Sequence, residues 1–332
     1  MKIQAMAAAA RGKDLAPWQY DTPPLGPHDC VIKVGFCGLC HTDVHVIDGA
    51  LDPRYPLVPG HEAVGEVVEK GSQVEHFRVG DRVGVGWQRS ACLQCPDCLR
   101  GDENICEKNK SVIIDGYGGF GEYLFMDSRF CFPLPAGISS EAAGPLLCGG
   151  ITVYSALRHA GMRGGQEIGI IGVGGLGHLA VQFASRMGNR VTAFTTSADK
   201  AGFAGRIGAH ETVVVRQGEP PAAKRPLDIL LSTVPASLDW NAYLGLLGSG
   251  GTLSTVGLVG EPISIHPFLL MLRRRRLTGS VIGGRAILTE MLEVADRYNV
   301  APILESFPLA EVNKAIRKVR DNTIRFRAVL RV

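Results

Sequence analysis

No stretch of the sequence reaches the roughly 18 consecutive apolar residues that a membrane-crossing helix needs, which excludes a helical membrane span. The opening, MKIQAMAAAARGKD, lacks the apolar run and cleavage site of a secretory leader, so the cytoplasm is the expected compartment. Charge of one sign is scarce too. The 35 Lys and Arg against 32 Asp and Glu leave a net charge of +3 over 332 residues. That balance argues for neither a nucleic-acid nor a membrane-surface partner. Repeats, low-complexity tracts and flexible linkers are missing. What remains, 45% hydrophobic and 20% charged residues, is the composition of a globular chain long enough for two domains. Nine cysteines stand out. In a reducing compartment they are no disulfide framework, and they invite a metal.

The first third reads as short strands between turns. Residues 30–36 and 65–69 have β-branched content, 79–86 (VGDRVGVG) reads as a strand pair about a tight turn, and 121–126 and 130–134 follow. Near residue 150 the character changes. Strands at 167–171, 190–194, 212–215, 227–231, 252–256 and 277–281 alternate with helical patterns such as 175–187 and 199–207. Alternation of this kind means βαβ units and a parallel sheet, hence an α/β fold. Amphipathic helices at 287–298 and 309–320 and a strand at 325–332 close the chain. The basic run Arg273 to Arg276 reads as a solvated helix end.

Gly172, Gly174, Gly175, Leu176 and Gly177 belong to the phrase GVGGLG, which matches G-x-G-x-x-G after the strand EIGII and before a helix. The first glycine permits the tight turn, the second admits a pyrophosphate to the backbone, and the third packs helix on strand. The helix N-terminus offers free N–H groups to the phosphates. An NAD site carries Asp or Glu about 20 residues on, for the ribose 2′-hydroxyl. Here that carboxylate is missing, and Thr195, Thr196, Ser197 and Lys200 stand at the end of the next strand. Hydroxyls and an ammonium suit a 2′-phosphate, so NADP(H) is the expected cofactor.

Cys92, Cys95, Cys98 and Cys106 follow C-x2-C-x2-C-x7-C. Four thiolates this close can enclose one tetrahedral ion, and an all-cysteine site is structural. Iron–sulfur proteins also use C-x2-C-x2-C but continue x3-C-P; seven residues and a following Glu107 favour zinc here. Three further phrases, GLCHTDVH, PGHEAVGEV and PLLCGGITVY, each hold a metal-ligand type: Cys40, His61 and Cys148. Spacing alone does not join them, because Cys148 lies 87 residues beyond His61.

These phrases, with VGDRVGVG, GGLGHLAVQFA and TGSVIGG, resemble the zinc-containing medium-chain dehydrogenase/reductases over nearly the whole chain, specifically the cinnamyl alcohol dehydrogenase type with its bacterial broad-specificity aldehyde reductases. The resemblance implies a GroES-like, mainly β catalytic domain from residues 1–149 and 286–332, and a Rossmann NADP-binding domain from 150–285. It implies that Cys40, His61 and Cys148 hold a catalytic zinc, that Glu62 can replace water on it, and that Asp43 stands behind the ligands. Thr42 and His45 would form a proton relay, with Thr42 also touching the cofactor. Thr152, Thr233, Gly257, Ser280, Val281 and Ile282 would line nicotinamide and ribose. Two zinc ions per chain follow, and a homodimer or homotetramer. The implied reaction interconverts primary alcohols and aldehydes.

The stretch between Cys106 and Gly119 is shorter than in the plant enzymes, and Trp87 follows VGVG directly, so the plant monolignol substrates are not carried over. Two other readings compete. An NAD-dependent polyol or secondary-alcohol dehydrogenase of the same superfamily needs the acid that the sequence lacks. A non-catalytic zinc protein sensing NADP(H) would have no use for Thr42, His45 and three separate ligands.

Overall fold

The computed structural model describes residues 2–216 and 218–332. In chain order the first elements are β1 (Lys2–Ala8), β2 (Leu15–Asp21), β3 (Asp29–Leu39), α1 (His41–Ile47), β4 (Ala63–Lys70), β5 (Arg82–Val85) and β6 (Gln88–Ser90). Then come α2 (Pro96–Leu99), β7 (Lys110–Ser111), β8 (Tyr123–Asp127), β9 (Cys131–Pro133), α3 (Ser140–Pro145) and α4 (Ile151–His159). The middle holds β10 (Glu167–Ile171), α5 (Gly177–Arg186), β11 (Arg190–Thr195), α6 (Ala198–Arg206), β12 (Glu211–Val214), β13 (Leu227–Ser232) and α7 (Trp240–Gly245). The rest are β14 (Leu247–Thr255), α8 (Pro267–Met271), β15 (Arg276–Gly279), α9 (Arg285–Arg297), β16 (Leu304–Pro308), α10 (Val312–Arg320) and β17 (Arg327–Arg331).

The chain divides into two compact units. The first comprises Met1–Cys148, Gly283–Asp296 and Ala301–Val332; the second comprises Gly149–Ile282 and Arg297–Val300. In the first, a sheet of order β16-β17-β3-β4-β5-β9 joins both chain ends, and β8 pairs with β3. The centre is β3, DCVIKVGFCGL. Its run of β-branched residues is buried on both faces and pairs with β4, β8 and β17. One core gathers Ile32, Val34, Leu39, Val67, Phe120, Phe130 and Leu330 beneath these strands.

Two readings of the sequence change here. In VGDRVGVG only Arg82–Val85 is a strand. The residues before it form a turn: Asp81 accepts from the Arg78 N–H at 2.7 Å, and Gly80 takes φ +94°. The N-terminal hairpin β1–β2, with Lys2 opposite Asp21, is absent from the sequence reading because KIQAMAA and LAPWQYD carry few β-branched residues.

The second unit is a six-stranded parallel sheet of order β12-β11-β10-β13-β14-β15, the doubly wound arrangement expected of the alternating pattern. Ile171, Phe194, Leu230, Trp240, Leu244 and Leu253 form its core. The basic run is a solvated helix end only in part: Arg273 and Arg274, just past α8, are exposed, but the next two arginines are engaged. The Arg275 guanidinium donates to the Leu247 carbonyl at 2.6 Å and to that of Gly245 at 3.1 Å. Arg276 opens β15 and donates to Thr252 Oγ1 at 3.1 Å. Both lock the last strands in place.

Candidate metal centres and cofactor turn

In the first unit α1 begins directly after Cys40, at the end of β3. Asp43, in its first turn, is fully buried and organises what surrounds it. One carboxylate oxygen accepts from the Cys40 N–H at 2.9 Å. The other accepts from the Gly60 N–H at 3.0 Å and lies 2.9 Å from His61 Nδ1. A carboxylate on Nδ1 sets the tautomer, so His61 Nε2 is turned towards the sulfurs. Nε2 lies 3.2 Å from Cys148 Sγ, which is 3.9 Å from Cys40 Sγ. A tetrahedral ion with metal–sulfur bonds of about 2.3 Å sets its sulfurs about 3.8 Å apart. A disulfide would need about 2.05 Å. The trio therefore has metal-site spacing, and the ligand atoms of Cys40, His61, Glu62 and Cys148 lie within 4.8 Å of one another.

Glu62 is wholly buried, and one of its oxygens accepts from Arg327 Nη2. The other has no hydrogen-bond partner among the described residues, and a carboxylate oxygen orphaned beside two thiols and an imidazole suits a cation. Gly38 makes the room: a Cβ there would sit 1.9 Å from Glu62 Oε2. Burial pushes the Glu62 carboxyl up to about 7, against the pull of Arg327. The Cys40 thiol lies well below its usual range, chiefly because Cys148 Sγ donates to it, with Arg327 and His61 adding positive charge. Removing one partner of such a buried ion pair costs about 3–5 kcal/mol. Arg327 escapes the sequence reading. It lies 265 residues from Glu62, and its sole sign is an arginine heading the strand RAVLR, directly before the apolar run Ala328 to Leu330.

The other expected residues of the first unit fall close by. Thr42 Oγ1 is 3.6 Å from Cys40 Sγ. His45 is exposed on α1, its ring 6.1 Å from that of His41. Trp87 stands edge-on to the His61 ring, with centroids 5.3 Å apart.

The second cluster lies in the loop around α2. Cys92 Sγ is 3.8 Å from Cys98 Sγ and 3.6 Å from Cys106 Sγ, and the four sulfurs including Cys95 lie within 4.8 Å. These spacings again match one tetrahedral ion, and the all-sulfur donor set leaves no open position. The N–H groups of Gln94 and Cys95 draw the Cys92 thiol down to about 6, whereas burial pushes that of Cys98 up to about 12.

In the second unit the glycine phrase forms the turn from β10 to α5. Gly172 has φ +89°, and a Cβ on Gly177 would strike the Gly172 carbonyl at 1.8 Å. Among the described residues a Cβ on Gly174 would meet nothing within 4 Å, which leaves room for a ligand on that side. Gly175 and Leu176 follow, half-buried, at the N-terminus of α5. Thr233 Oγ1 donates to the Ile171 carbonyl at 2.9 Å, so its hydroxyl braces the turn. A Cβ on Gly257 would lie 2.1 Å from the Val234 carbonyl, which explains glycine there. Thr195 is buried and accepts from the Ser197 N–H at 3.2 Å. Ser197 in turn caps α6 by accepting from the Lys200 N–H at 3.4 Å, while Thr196 and Lys200 face solvent. Thr152 lies half-buried in α4; Ser280 and Ile282 are half-buried and Val281 exposed just after β15.

Family models support what the motifs imply. The alcohol dehydrogenase GroES-like domain matches residues 26–136, and the zinc-binding dehydrogenase model matches 175–297. An aldehyde reductase, AdhA, from Synechocystis sp. is 39% identical over 330 residues, covering 99% of this chain and 98% of its own length. A cinnamyl alcohol dehydrogenase structure from Sorghum bicolor superposes with a TM-score of 0.93 at 34% identity, covering 100% of this chain and 98% of its own. One from Helicobacter pylori, complexed with NADP(H), gives 0.91 at 29% identity, covering 100% and 98%. The chain belongs to the zinc-binding dehydrogenases that carry an alcohol dehydrogenase GroES-like domain.

Proposed function

We propose that the chain is a zinc-dependent oxidoreductase interconverting primary alcohols and aldehydes by hydride transfer with NADP(H). The observation that carries this reading is the buried trio Cys40, His61 and Cys148 at the spacing of one tetrahedral ion, with the orphan oxygen of Glu62 beside it. Cys40, His61 and Cys148 would hold a zinc ion there, which would supply Lewis acidity at the substrate oxygen, and a bound nicotinamide would supply the hydride chemistry. The chain's own residues do the rest. Asp43 fixes Cys40 and His61 in ligating pose. Thr42 takes the proton of the alcohol, and His45, open to solvent, hands it on to water. Cys92, Cys95, Cys98 and Cys106 hold a structural zinc.

The cofactor is assigned to the second unit. The backbone of Gly172 to Gly177 and the start of α5 take the pyrophosphate. Thr196, Ser197 and Lys200 take the 2′-phosphate, with Thr195 shaping the turn. Thr152, Thr233, Gly257 and Ser280 to Ile282 flank the ribose and nicotinamide. The naming of one relative as an aldehyde reductase and another's complex with NADP(H) support substrate and cofactor. A homodimer or homotetramer is supported by β15, an exposed sheet edge next to Phe268, Met271 and Leu272, which are 55%, 72% and 62% exposed. Two thiol-rich metal sites suit a reducing compartment, the cytoplasm. Among the described residues no helix is long and apolar enough to cross a membrane.

The test is a screen of aromatic and aliphatic aldehydes, following cofactor oxidation, with metal analysis alongside. NADPH is expected to outperform NADH by about tenfold or more in kcat/KM, a difference of about 1.4 kcal/mol, at two zinc ions per chain. Equal turnover with NADH overturns the cofactor assignment, and a single zinc confined to the four-cysteine loop overturns the catalytic one.

A further inference from the structure

Glu103 plays no part in either ligand set, yet it is 2% exposed and sits between the ligands Cys98 and Cys106. A buried carboxylate is expensive unless its oxygens are satisfied. Both are satisfied by one distant residue. Oε2 accepts from the Arg285 N–H at 3.0 Å and Oε1 from Arg285 Nε at 2.8 Å. Arg285 is the first residue of α9 and Gly284 immediately precedes it. The approach is so close that a Cβ on Gly284 would lie 1.8 Å from the Gly101 carbonyl and 2.8 Å from Glu103 Oε2. A Cβ on Gly101 would in turn reach 3.8 Å from that of Ala286. The guanidinium of Arg285 also lies 5.4 Å from the centre of the Phe130 ring. The four-cysteine loop therefore grips the start of α9 with backbone against backbone and two charge-assisted hydrogen bonds.

The first turn of α9 leads on to the other metal centre. Leu288 is 5% exposed and packs over the bare backbone of Gly86. A Cβ on Gly86 would be 3.8 Å from Leu288 Cδ1 and 2.8 Å from the carbonyl of Leu147. Leu147 is the residue before Cys148, and Gly86 the residue before Trp87, whose ring meets His61. One helical turn thus lies against Gly86, which abuts the Leu147 carbonyl on one side and continues into Trp87 on the other.

We propose that Glu103 is a positioning residue, by which the four-cysteine loop and its metal hold α9 so that Leu288 sets Leu147 and the ligand Cys148. The inference rests on the reading of Cys40, His61 and Cys148 as the catalytic metal site. It gives the loop's metal a task in catalysis as well as in folding.

The experiment uses full-length enzyme with zinc in the four-cysteine loop and Co2+ at the trio, whose visible bands report the geometry of its cysteine ligands. Glu103→Gln is expected to keep both metals and to speed hydrogen exchange over residues 285–289 by about tenfold. It shifts the cobalt bands and lowers kcat by about tenfold with KM nearly unchanged, and Glu103→Asp partly restores both. Leu288→Ala, which cuts the path beyond the grip, moves the bands while exchange at 285–287 stays as in the parent, and it serves if Glu103→Gln fails to fold. Bands and kcat that stay put in variants with a loosened α9 reduce Glu103 to a helix cap and overturn the proposal. So does unchanged exchange in Glu103→Gln. A parent enzyme that takes up no cobalt at the trio overturns the underlying metal reading instead, and the inference with it.

Discussion

The two metal-ligand clusters of the first unit are built from opposite materials. One collects four cysteines from 15 consecutive residues of loop and satisfies an ion with sulfur alone. The other draws Cys40, His61 and Cys148 from three regions, the outermost ligands 108 residues apart, uses a nitrogen, and adds a carboxylate that is tied elsewhere. A local, saturated set can bind an ion tightly but offers no position for chemistry. An assembled, unsaturated set can react, and it depends on the whole fold for its geometry. Asp43, Arg327 and Gly38 are what that dependence looks like at atomic scale.

Substitutions should separate the two clusters, and the largest effect falls on the assembled one. Cys148→Ser is expected to lower kcat/KM by about 10³-fold or more, since Lewis-acid stabilisation contributes several kcal/mol to the transition state. The protein should stay folded and retain one zinc per chain, as metal analysis and circular dichroism would show. Next comes Cys98→Ser. Losing the loop's ion removes folding energy, with an expected fall in Tm of about 5–10 °C for a loss of a few kcal/mol. Calorimetry checks this, and an unchanged Tm would mean that the loop adds nothing to stability.

The smallest effect is chemical. After both metals are chelated, Cys92, drawn down to about 6, is a thiolate at neutral pH. Its alkylation rate should rise through pH 6 and level off by about pH 8, whereas an ordinary thiol is still rising at 8.5. Cys30, buried and pushed up to about 11, should stay unmodified across that range. Peptide mass spectrometry after iodoacetamide at several pH values decides it. If Cys92 lags behind the other loop cysteines at pH 7, the backbone N–H bonds do not activate it.

The same contrast governs what the sequence disclosed. The four-cysteine cluster was legible because its ligands are neighbours in the chain and polar residues separate them. The glycine turn was legible because strand, motif and helix come in order, and the structure puts β10 and α5 on either side of it. The trio could be connected only through resemblance, because nothing local in GLCHTDVH points to residue 148. Arg327 and Glu103 were invisible for the same reason: each satisfies a group far away in sequence, and a lone charged residue on a strand or loop usually has no such task. The hairpin β1–β2 was missed on other grounds. Its pairing is reinforced by the Met6 N–H to the Phe120 carbonyl at 2.8 Å, a tertiary contact that propensity cannot register.

Gly38 shows how far such dependence reaches into inheritance. Every residue other than glycine begins with a carbon that would lie 1.9 Å from the carboxylate of Glu62. Position 38 bears no chemistry of its own, and its substitution is nonetheless closed while that acid remains. The two positions are tied together: a side chain added at 38 requires Glu62 to move or to be replaced, and its carboxylate then leaves its place beside Cys40, His61 and Cys148.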